Sequence, residues 1–421
     1  MLVFFCYSIT HQIQFQITLG LLRFYTKFYR IKQHTSKKEV MDMKIAHLSD
    51  LHLGKRLKEY SLIEDQKYIL RQIIDILKQE KVTTVLLAGD IYDTGNPSSE
   101  AVALLSMFLL ELKNLGIHVM MIAGNHDNGT RLSYGAEIFA DSDIHITGKY
   151  TGKLACNTIE DEYGPVHFFS LPYIRPIYVN QYLEETEAVE GYTAAVKHAL
   201  QTVKLNQKER NIILAHQFIT GTVTDEQGSE VSVGGTDNVD GNVFRDFDYV
   251  ALGHIHRPQT ILRDTMRYCG TPLKYSIGEA NTTKSVTIID MKEKGNTTVY
   301  TVDLKPLRDV VVIKDTFSNI LQRKNTENDD YVYFQLQDEH MVFDAMNTLR
   351  LRYPNILGIS YPNSAYEQSE QGISYTKQKN QTPQEIFGDF FAQYTGHTLD
   401  DTQEKILDEL VTRIWKEGDE E

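Results

Sequence analysis

Five short polar motifs stand along the chain, and most of them begin where an apolar run stops. They are Asp50-Leu51-His52, Gly89-Asp90-Ile91-Tyr92-Asp93, Gly124-Asn125-His126-Asp127, His216, and Gly253-His254-Ile255-His256. The runs before them, Lys44–Leu48, Val82–Ala88, Ile117–Ala123, Asn211–Ala215 and Asp248–Leu252, have the length and apolar content of buried strands. Between the first three lie helical patterns: Leu62–Glu80, with Ile69, Ile73, Ile76 and Leu77 on one face, and Ser98–Asn114, with Ser98 or Ser99 as its N-cap. Strand, polar loop, helix and strand in succession predict βαβ units and an α/β fold. In a wound sheet, ligands gather outside the carboxyl ends of the strands. Strands at His167–Leu171, Asn211–Ala215, Asp248–Leu252, Lys284–Asp290 and Thr297–Asp303 predict a second, mixed sheet packed on the first.

The residue types suit divalent metal ions. Carboxylate favours Mn²⁺ or Mg²⁺, and imidazole favours transition metals. Asp90 can bridge two ions about 3.5–4 Å apart, the separation of two-metal phosphoester sites. Asp50 and His52 alternate past Leu51, so an extended chain turns both to one side, and the same holds for His254 and His256. Taken singly, each residue has a plainer reading, an Asp as a turn or cap and a His as surface or core. Gly-Asp and Gly-Asn are turn signals in any case. The ordered set at strand ends points instead to a dinuclear centre. His47 and His145 lie inside strand patterns and keep the plainer reading.

These motifs and their order resemble the calcineurin-like metallophosphoesterases. The surrounding residues resemble the SbcD-type bacterial members of the Mre-type DNA repair nucleases. They are His47–Lys55, Ala88–Asp93, Ile122–Asp127 with Arg131-Leu132 and Gly135, Ala251–His256, Gly270-Thr271-Pro272, Tyr275-Ser276 and Leu304–Arg308. The likeness implies a two-sheet α/β sandwich flanked by helices, a small α+β capping domain and C-terminal helices that dock a partner. It assigns Asp50, His52 and His256 to one metal and Asn125, His216 and His254 to the other, with Asp90 bridging. His126 becomes the acid or transition-state stabiliser near the leaving group, oriented by Asp93. Lys55, Arg131 and Arg257 flank the site as candidate phosphate contacts.

The implied reaction is in-line attack on phosphorus by a hydroxide lying between the metals, with His126 assisting departure of the sugar oxygen. The implied activity is a 3′→5′ double-strand exonuclease and single-strand or hairpin endonuclease of DNA repair, recombination and replication. Two divalent ions serve it, Mn²⁺ in preference to Mg²⁺. The implied partner is a long coiled-coil ATPase of the SbcC type, joined with a homodimer of this chain in a heterotetramer in the bacterial cytoplasm. The loop at Gly228–Asn242, rich in Gly and Asp, departs from the family pattern.

Charge bears on these expectations. The 421 residues carry a formal charge of −14, yet residues 1–42 carry six Lys or Arg against Glu39 and Asp42, or +4, which leaves −18 for the rest. So acidic a body does not coat nucleic acid by itself, and a DNA enzyme of this kind borrows its grip. Three cysteines without a C-x-x-C pair exclude a disulfide framework and a thiolate zinc site. His11, Gln12, Gln14 and Gln16 interrupt the apolar start, and the basic residues follow it, unlike an anchor or signal peptide. Lys37–Val40 back-translates to a purine-rich ribosome-binding run ahead of Met43, so 1–42 is expected to be a leader foreign to the fold.

The expected units are then a nuclease domain over 43–305, the capping domain over 306–363, a linker over 364–382 and a helical tail over 383–421. In the tail, Ile406, Leu407, Leu410, Ile414 and Trp415 form one apolar stripe. Helix Ala101–Leu112 is apolar on more than one face, which suits either plain core or, as the resemblance implies, a homodimer bundle with the helix after Arg131. The competing function is another metallophosphoesterase, a nucleotide phosphodiesterase or phosphatase, with the same core site. A protein phosphatase is disfavoured because Thr94, not Arg, follows Asp93. A scaffold without activity would tolerate loss of ligands, whereas every ligand position is filled.

Overall fold

The computed structural model describes residues 43–222, 237–323, 329–362 and 398–418, with a few positions between 382 and 392. The expected leader over 1–42, nearly all of the linker over 364–382 and the first part of the loop at 228–242 lie outside the described residues.

Strands β1 (Met43–Leu48), β2 (Arg56–Leu57) and β3 (Tyr60–Ser61) lead into helix α1 (Ile63–Glu80) and β4 (Thr84–Ala88). Helix α2 (Ser99–Asn114), β5 (His118–Ile122) and the short helices α3 (Gly129–Leu132) and α4 (Ala136–Ala140) follow. Next come β6 (Ile144–Thr147), β7 (Ala155–Asp161), β8 (Gly164–Leu171), α5 (Pro176–Asn180) and α6 (Tyr192–Gln201). The larger body closes with β9 (Arg210–His216), β10 (Tyr249–Gly253), β11 (Gln259–Ile261), β12 (Arg263–Tyr268), β13 (Ser285–Met291) and β14 (Thr297–Asp303). After it come β15 (Val310–Asp315), α7 (Phe317–Gln322), β16 (Tyr331–Leu336), α8 (Ala345–Arg350), β17 (Ile356–Ser360) and the terminal helix α9 (Asp401–Gly418).

Two six-stranded sheets form the larger body, in the orders β14-β13-β1-β4-β5-β6 and β11-β12-β10-β9-β8-β7. They pack face to face. Ile45, Leu86, Met120 and Ile122 of the first meet Phe168, Ile212, Leu214 and Tyr249 of the second in one fully buried layer. On the outer face of the first sheet, α1 and α2 supply Ile69, Ile73, Leu77, Leu104 and Phe108. On the outer face of the second, α6 supplies Ala195, Val196 and Ala199. The buried strands β4, β9 and β10 show no exposed residue, which is why they read as continuous apolar runs.

The apolar pattern of 284–303 predicts strands of the second sheet, and the structure corrects this. β13 pairs antiparallel with β1, Met43 opposite Met291, and β14 forms the edge outside it. An apolar strand carries no mark of which free edge it will cover. The alternating burial of β14 is that of a half-exposed edge strand. Strands β6, β7, β11 and β12 give no clear apolar run, because they are short or alternate in burial.

Beyond β14, the parallel sheet β15-β16-β17 has its own core of Ile320, Val332, Phe334, Leu336, Leu349 and Ile356. Among the described residues no helix is long and apolar enough to cross a membrane.

Candidate metal centre

Each motif residue is delivered by a strand end: Asp50 and His52 after β1, Asp90 and Asp93 after β4, Asn125 and His126 after β5, His216 at the end of β9, and His254 and His256 after β10. β4 and β5 are adjacent in one sheet and β9 and β10 in the other, so the five ends meet across the sandwich. Asp50, His52 and His256 bring one donor atom each within 4.8 Å of one another, and so do Asp50, Asp90 and His216. The Asn125 amide oxygen completes the second group, 3.0 Å from His216 Nε2 and 2.9 Å from His254 Nδ1. Asp90 Oδ2 lies between the groups, 3.3 Å from His216 Nε2 and 3.7 Å from His52 Nε2. Asp50, His52, Asp90, His216 and His256 are buried, whereas Asn125 is exposed and His126 and His254 are half-buried, so the centre opens on one side.

The backbone does this at a conformational cost. Asp50, His52, Asp90 and His254 have positive φ, at 52°, 41°, 49° and 106°. Non-glycine residues there are strained by about 1–3 kcal/mol each, and such strain clusters at functional sites. Asp50 and His52 therefore share a side because the chain coils there, not because an extended strand alternates. Gly253 is required by close approach: a Cβ there would fall inside the carbonyl oxygen of Ala88.

Hydrogen bonds fix how each group is presented. His216 Nδ1 lies 2.8 Å from the Ala88 carbonyl oxygen. A carbonyl only accepts, so Nδ1 carries a proton, and Nε2 faces Asp90 and Asn125, where a cation would take the place of the second proton. His52 Nδ1 faces Asp93 Oδ1 at 3.4 Å, and His256 Nδ1 faces Glu279 Oε1 at 3.4 Å. With those protons on Nδ1, the two Nε2 atoms confront each other at 3.1 Å. Facing lone pairs at that distance need a proton or a cation between them. Burial alone pushes the Asp90 carboxyl up, but the His216 imidazole outweighs it and holds Asp90 well below the usual range. Burial lowers His216, yet Asp90 beside it lifts the imidazole to about 9. A buried set of carboxylates, imidazoles and one amide oxygen, with an unmet demand for positive charge at its centre, fits two divalent cations.

His126 stands beside this set, its ring 4.8 Å from that of His52. Its backbone N–H donates to Asp90 Oδ1 at 2.8 Å, and its Nδ1 lies 2.9 Å from the Asp93 carbonyl oxygen. The expected orienting contact from the Asp93 carboxylate to His126 is thus corrected: the backbone carbonyl makes it. The carboxylate is taken by His52 and by Lys55 Nζ at 2.9 Å, and though burial raises it, these partners hold it down to about 2. Lys55 is therefore paired within the loop, and Arg131 is bound to the Gly95 carbonyl at 3.1 Å and to Asn96. Arg257, next to His256, is exposed.

Four further residues support the centre, and the sequence pattern assigns a role to none of them. Asp127 accepts the N–H groups of Ile91, Tyr92 and Gly124 at 2.9–3.0 Å, tying the loop after β4 to the loop after β5. Burial and the Asp90 charge raise its carboxyl to about 6. Gln66 of α1 donates to the His52 carbonyl at 2.7 Å, and Tyr275 Oη donates to the Leu51 carbonyl at 2.5 Å, bracing the first turn. Glu279, behind His256, is held by Lys284 Nζ at 2.5 Å, and Lys284 also donates to the His256 carbonyl at 2.9 Å.

Two family models match: calcineurin-like phosphoesterase over residues 43–258, and type 5 capsule protein repressor C-terminal domain over residues 306–395. The SbcD subunit of nuclease SbcCD from Staphylococcus epidermidis is 34% identical over 379 residues, 88% of this chain and 99% of that protein. Its namesake in Staphylococcus saprophyticus is 32% identical over 384 residues, 89% of this chain and all of that protein. Among solved structures, a dimetal phosphatase from Danio rerio covers 63% of this chain and 98% of its own at 14% identity, with a TM-score of 0.36.

Proposed function

Because this chain belongs to the calcineurin-like phosphoesterases, and within them to the SbcD subunits of the SbcCD nucleases, we propose that its Asp/His cluster is a two-metal centre that hydrolyses DNA strands. The observation that carries the reading is the pair of donor groups sharing Asp90, with two imidazole nitrogens face to face. In this reading Asp50, His52 and His256 would hold one divalent ion and Asn125, His216 and His254 the other, with Asp90 available to both. Bound there, the ions supply charge neutralisation on the scissile phosphate and an activated water, Mn²⁺ in preference to Mg²⁺.

The chain's own groups set the rest. His216 keeps a proton on Nδ1 against Ala88, so a cation at Nε2 would displace only the proton that Asp90 holds there. His126 donates its Nδ1 proton to the Asp93 carbonyl, and as the imidazolium it would pass its Nε2 proton to the departing sugar oxygen and be left neutral. Asp90 fixes His126 through its backbone N–H. Strain in the four left-handed residues preorganises the cluster before substrate arrives.

The same reading keeps 43–305 as the nuclease unit, 306–363 as a cap and 383–421 as the docking tail, and gives the chain 3′→5′ exonuclease and hairpin endonuclease action in the bacterial cytoplasm. Relatives named as one part of SbcCD support a partner ATPase, and Ile406 and Leu410, exposed on α9, are a surface for it. Val102 and Leu110 on α2, with Tyr134 before α4 and Ile138 on it, are exposed apolar residues that support a second copy of the chain.

The test incubates the full chain with linear and hairpin DNA in Mn²⁺, Mg²⁺ or chelator, beside His126→Ala and Asp90→Ala. Mn²⁺-dependent cleavage lost in both variants is expected. Cleavage that persists in chelator or in Asp90→Ala overturns the proposal. Hydrolysis of a small phosphodiester but of no DNA, even with the coiled-coil ATPase added, transfers the chain to the phosphodiesterase class.

A further inference from the structure

A cavity of about 410 Å³ opens beside Asn125, between the loop after β5 and the segment from Tyr173 to Tyr182. Of the groups assigned above to hydrolysis, Asn125 alone lines it. Its wall carries four tyrosines, Tyr150, Tyr173, Tyr178 and Tyr182, and two cations, Lys149 and Arg175. Tyr173 joins it to the metal centre, its ring stacked 6.4 Å from that of His254 at an interplanar angle of 26°. Arg175 lies over the same tyrosine, 5.8 Å from the ring centroid.

Two further facts distinguish this cavity from an ordinary surface cleft. First, the aromatic wall is both open and braced. Tyr178 and Tyr182 are 41% and 52% exposed. Tyr182 nonetheless donates its hydroxyl to the Tyr150 carbonyl at 3.4 Å and stands edge to face with the Tyr150 ring at 5.8 Å. Gly152, at φ 87°, packs so near that a Cβ there would lie 3.0 Å from Tyr182 Cδ1. A ring held this way loses little rotamer freedom when a ligand stacks on it. Second, on a body with a charge of −18, neither Lys149 nor Arg175 is paired with a carboxylate among the described residues. Asp127 also lines the cavity, but its carboxylate is occupied by three backbone N–H groups.

We propose that this cavity is a base subsite, which takes an unpaired nucleotide next to the scissile phosphate and stacks its base on the Tyr178–Tyr182 wall. Exposed aromatic rings interleaved with free cations are the equipment of single-strand binding, where stacking tolerates any base and the cations meet the backbone. A paired base cannot present its face to such a wall, so the subsite favours frayed ends and loops. The inference rests on the DNA-hydrolysing reading and adds to it the form of strand the centre accepts.

The test measures fluorescence anisotropy of the full chain, in chelator, with a labelled single-stranded octanucleotide and with a strand of equal length made of abasic sites. Wild type is expected to bind the normal strand about tenfold tighter or more, the range of one or two stacked bases. Tyr178→Ala with Tyr182→Ala, at an unchanged melting temperature, is expected to lose this discrimination, and Phe at both positions to restore it. Lys149→Ala with Arg175→Ala is expected to weaken both strands alike. Wild type binding both strands equally, or the double alanine variant still discriminating, overturns the subsite. A wild type that cleaves DNA without base discrimination overturns the subsite and leaves the nuclease reading. One that discriminates but cleaves no strand does the reverse.

Discussion

Glu279 shows what one residue behind the ligands contributes. It is 1% exposed, and its two oxygens serve opposite ends of one device: Oε1 faces His256 Nδ1, while Oε2 accepts from Lys284 and, at 3.1 Å, from Thr271 Oγ1. Burial pushes its carboxyl up, but the Lys284 ammonium prevails and holds it well below the ordinary glutamate range. Glu279→Ala removes both the orienting acceptor and the partner of a buried ammonium. Metal affinity is expected to fall about 10- to 100-fold, as when the partner behind a ligating histidine is lost. Stability is expected to fall by about 3–5 kcal/mol, because Lys284 is left charged and unpaired. Mn²⁺ titration followed by calorimetry, beside thermal melting, checks both; unchanged affinity in a folded variant would remove the orienting role. None of this is legible in the sequence, where Glu279 and Lys284 lie on a loop and just before a strand with no motif. The proposed ligands are legible because most stand at or just past the end of an apolar run, often behind a glycine. His47 marks the limit of such reading. Close to the metal-facing turn, it is fully buried against Tyr249 Oη at 3.0 Å, and burial drops its imidazole to about 3. Its position inside β1, and not its residue type, tells it apart from His52.

At the scale of elements, the helix patterns carry most of the information. Ser98 caps α2 by accepting the Ala101 N–H, and the apolar spacing of α1 puts Ile69, Ile73, Ile76 and Leu77 inside. Strand pairing is less legible, since β13 reaches β1 across more than two hundred residues, with β14 outside it, and nothing local specifies that edge. Helix α9 differs from both. Its apolar stripe is evident in the sequence, but Ile406 and Leu410 remain 53% and 41% exposed, so the fold leaves these two positions of the stripe uncovered. Ile406→Glu with Leu410→Glu is expected to abolish co-purification with the coiled-coil ATPase, since charged residues at the centre of an apolar contact lose their solvation without a partner. Mn²⁺-dependent cleavage by the chain alone is expected to be unaffected. Retained co-purification would mean that the partner docks elsewhere.

At the scale of the molecule, the question is how the small sheet of β15–β17 is held to the body that carries the metal centre. The joint is polar. Asp65 of α1, 1% exposed, accepts from Arg308 Nε at 2.9 Å and Nη2 at 2.6 Å, and from Tyr331 Oη at 3.0 Å. Arg308 leads into β15 and Tyr331 opens β16, so one carboxylate holds two strands of the small sheet. Tyr60 Oη donates to the Pro354 and Ile356 carbonyls at 3.0 and 3.2 Å, and Lys274 pairs with Asp309 at 2.9 Å. The boundary near Lys305 is readable from composition, but the joint is not, because its partners are 243 and 266 residues apart. Bidentate pairing gives the joint direction as well as energy. Asp65→Ala leaves a guanidinium and a phenol facing an empty, largely dry position. A loss of about 2–4 kcal/mol is expected at the joint, discounted for the partial exposure of Arg308. The loss falls on the attachment, where Val310, Tyr331 and Leu357 meet the larger body, and leaves the cluster on the far side of the small sheet in place. Hydrogen exchange should therefore quicken over 310–360 while β4, β9 and β10 keep their protection. Uniform quickening across both parts would show that the two unfold as one unit and that the joint is not a separable hinge.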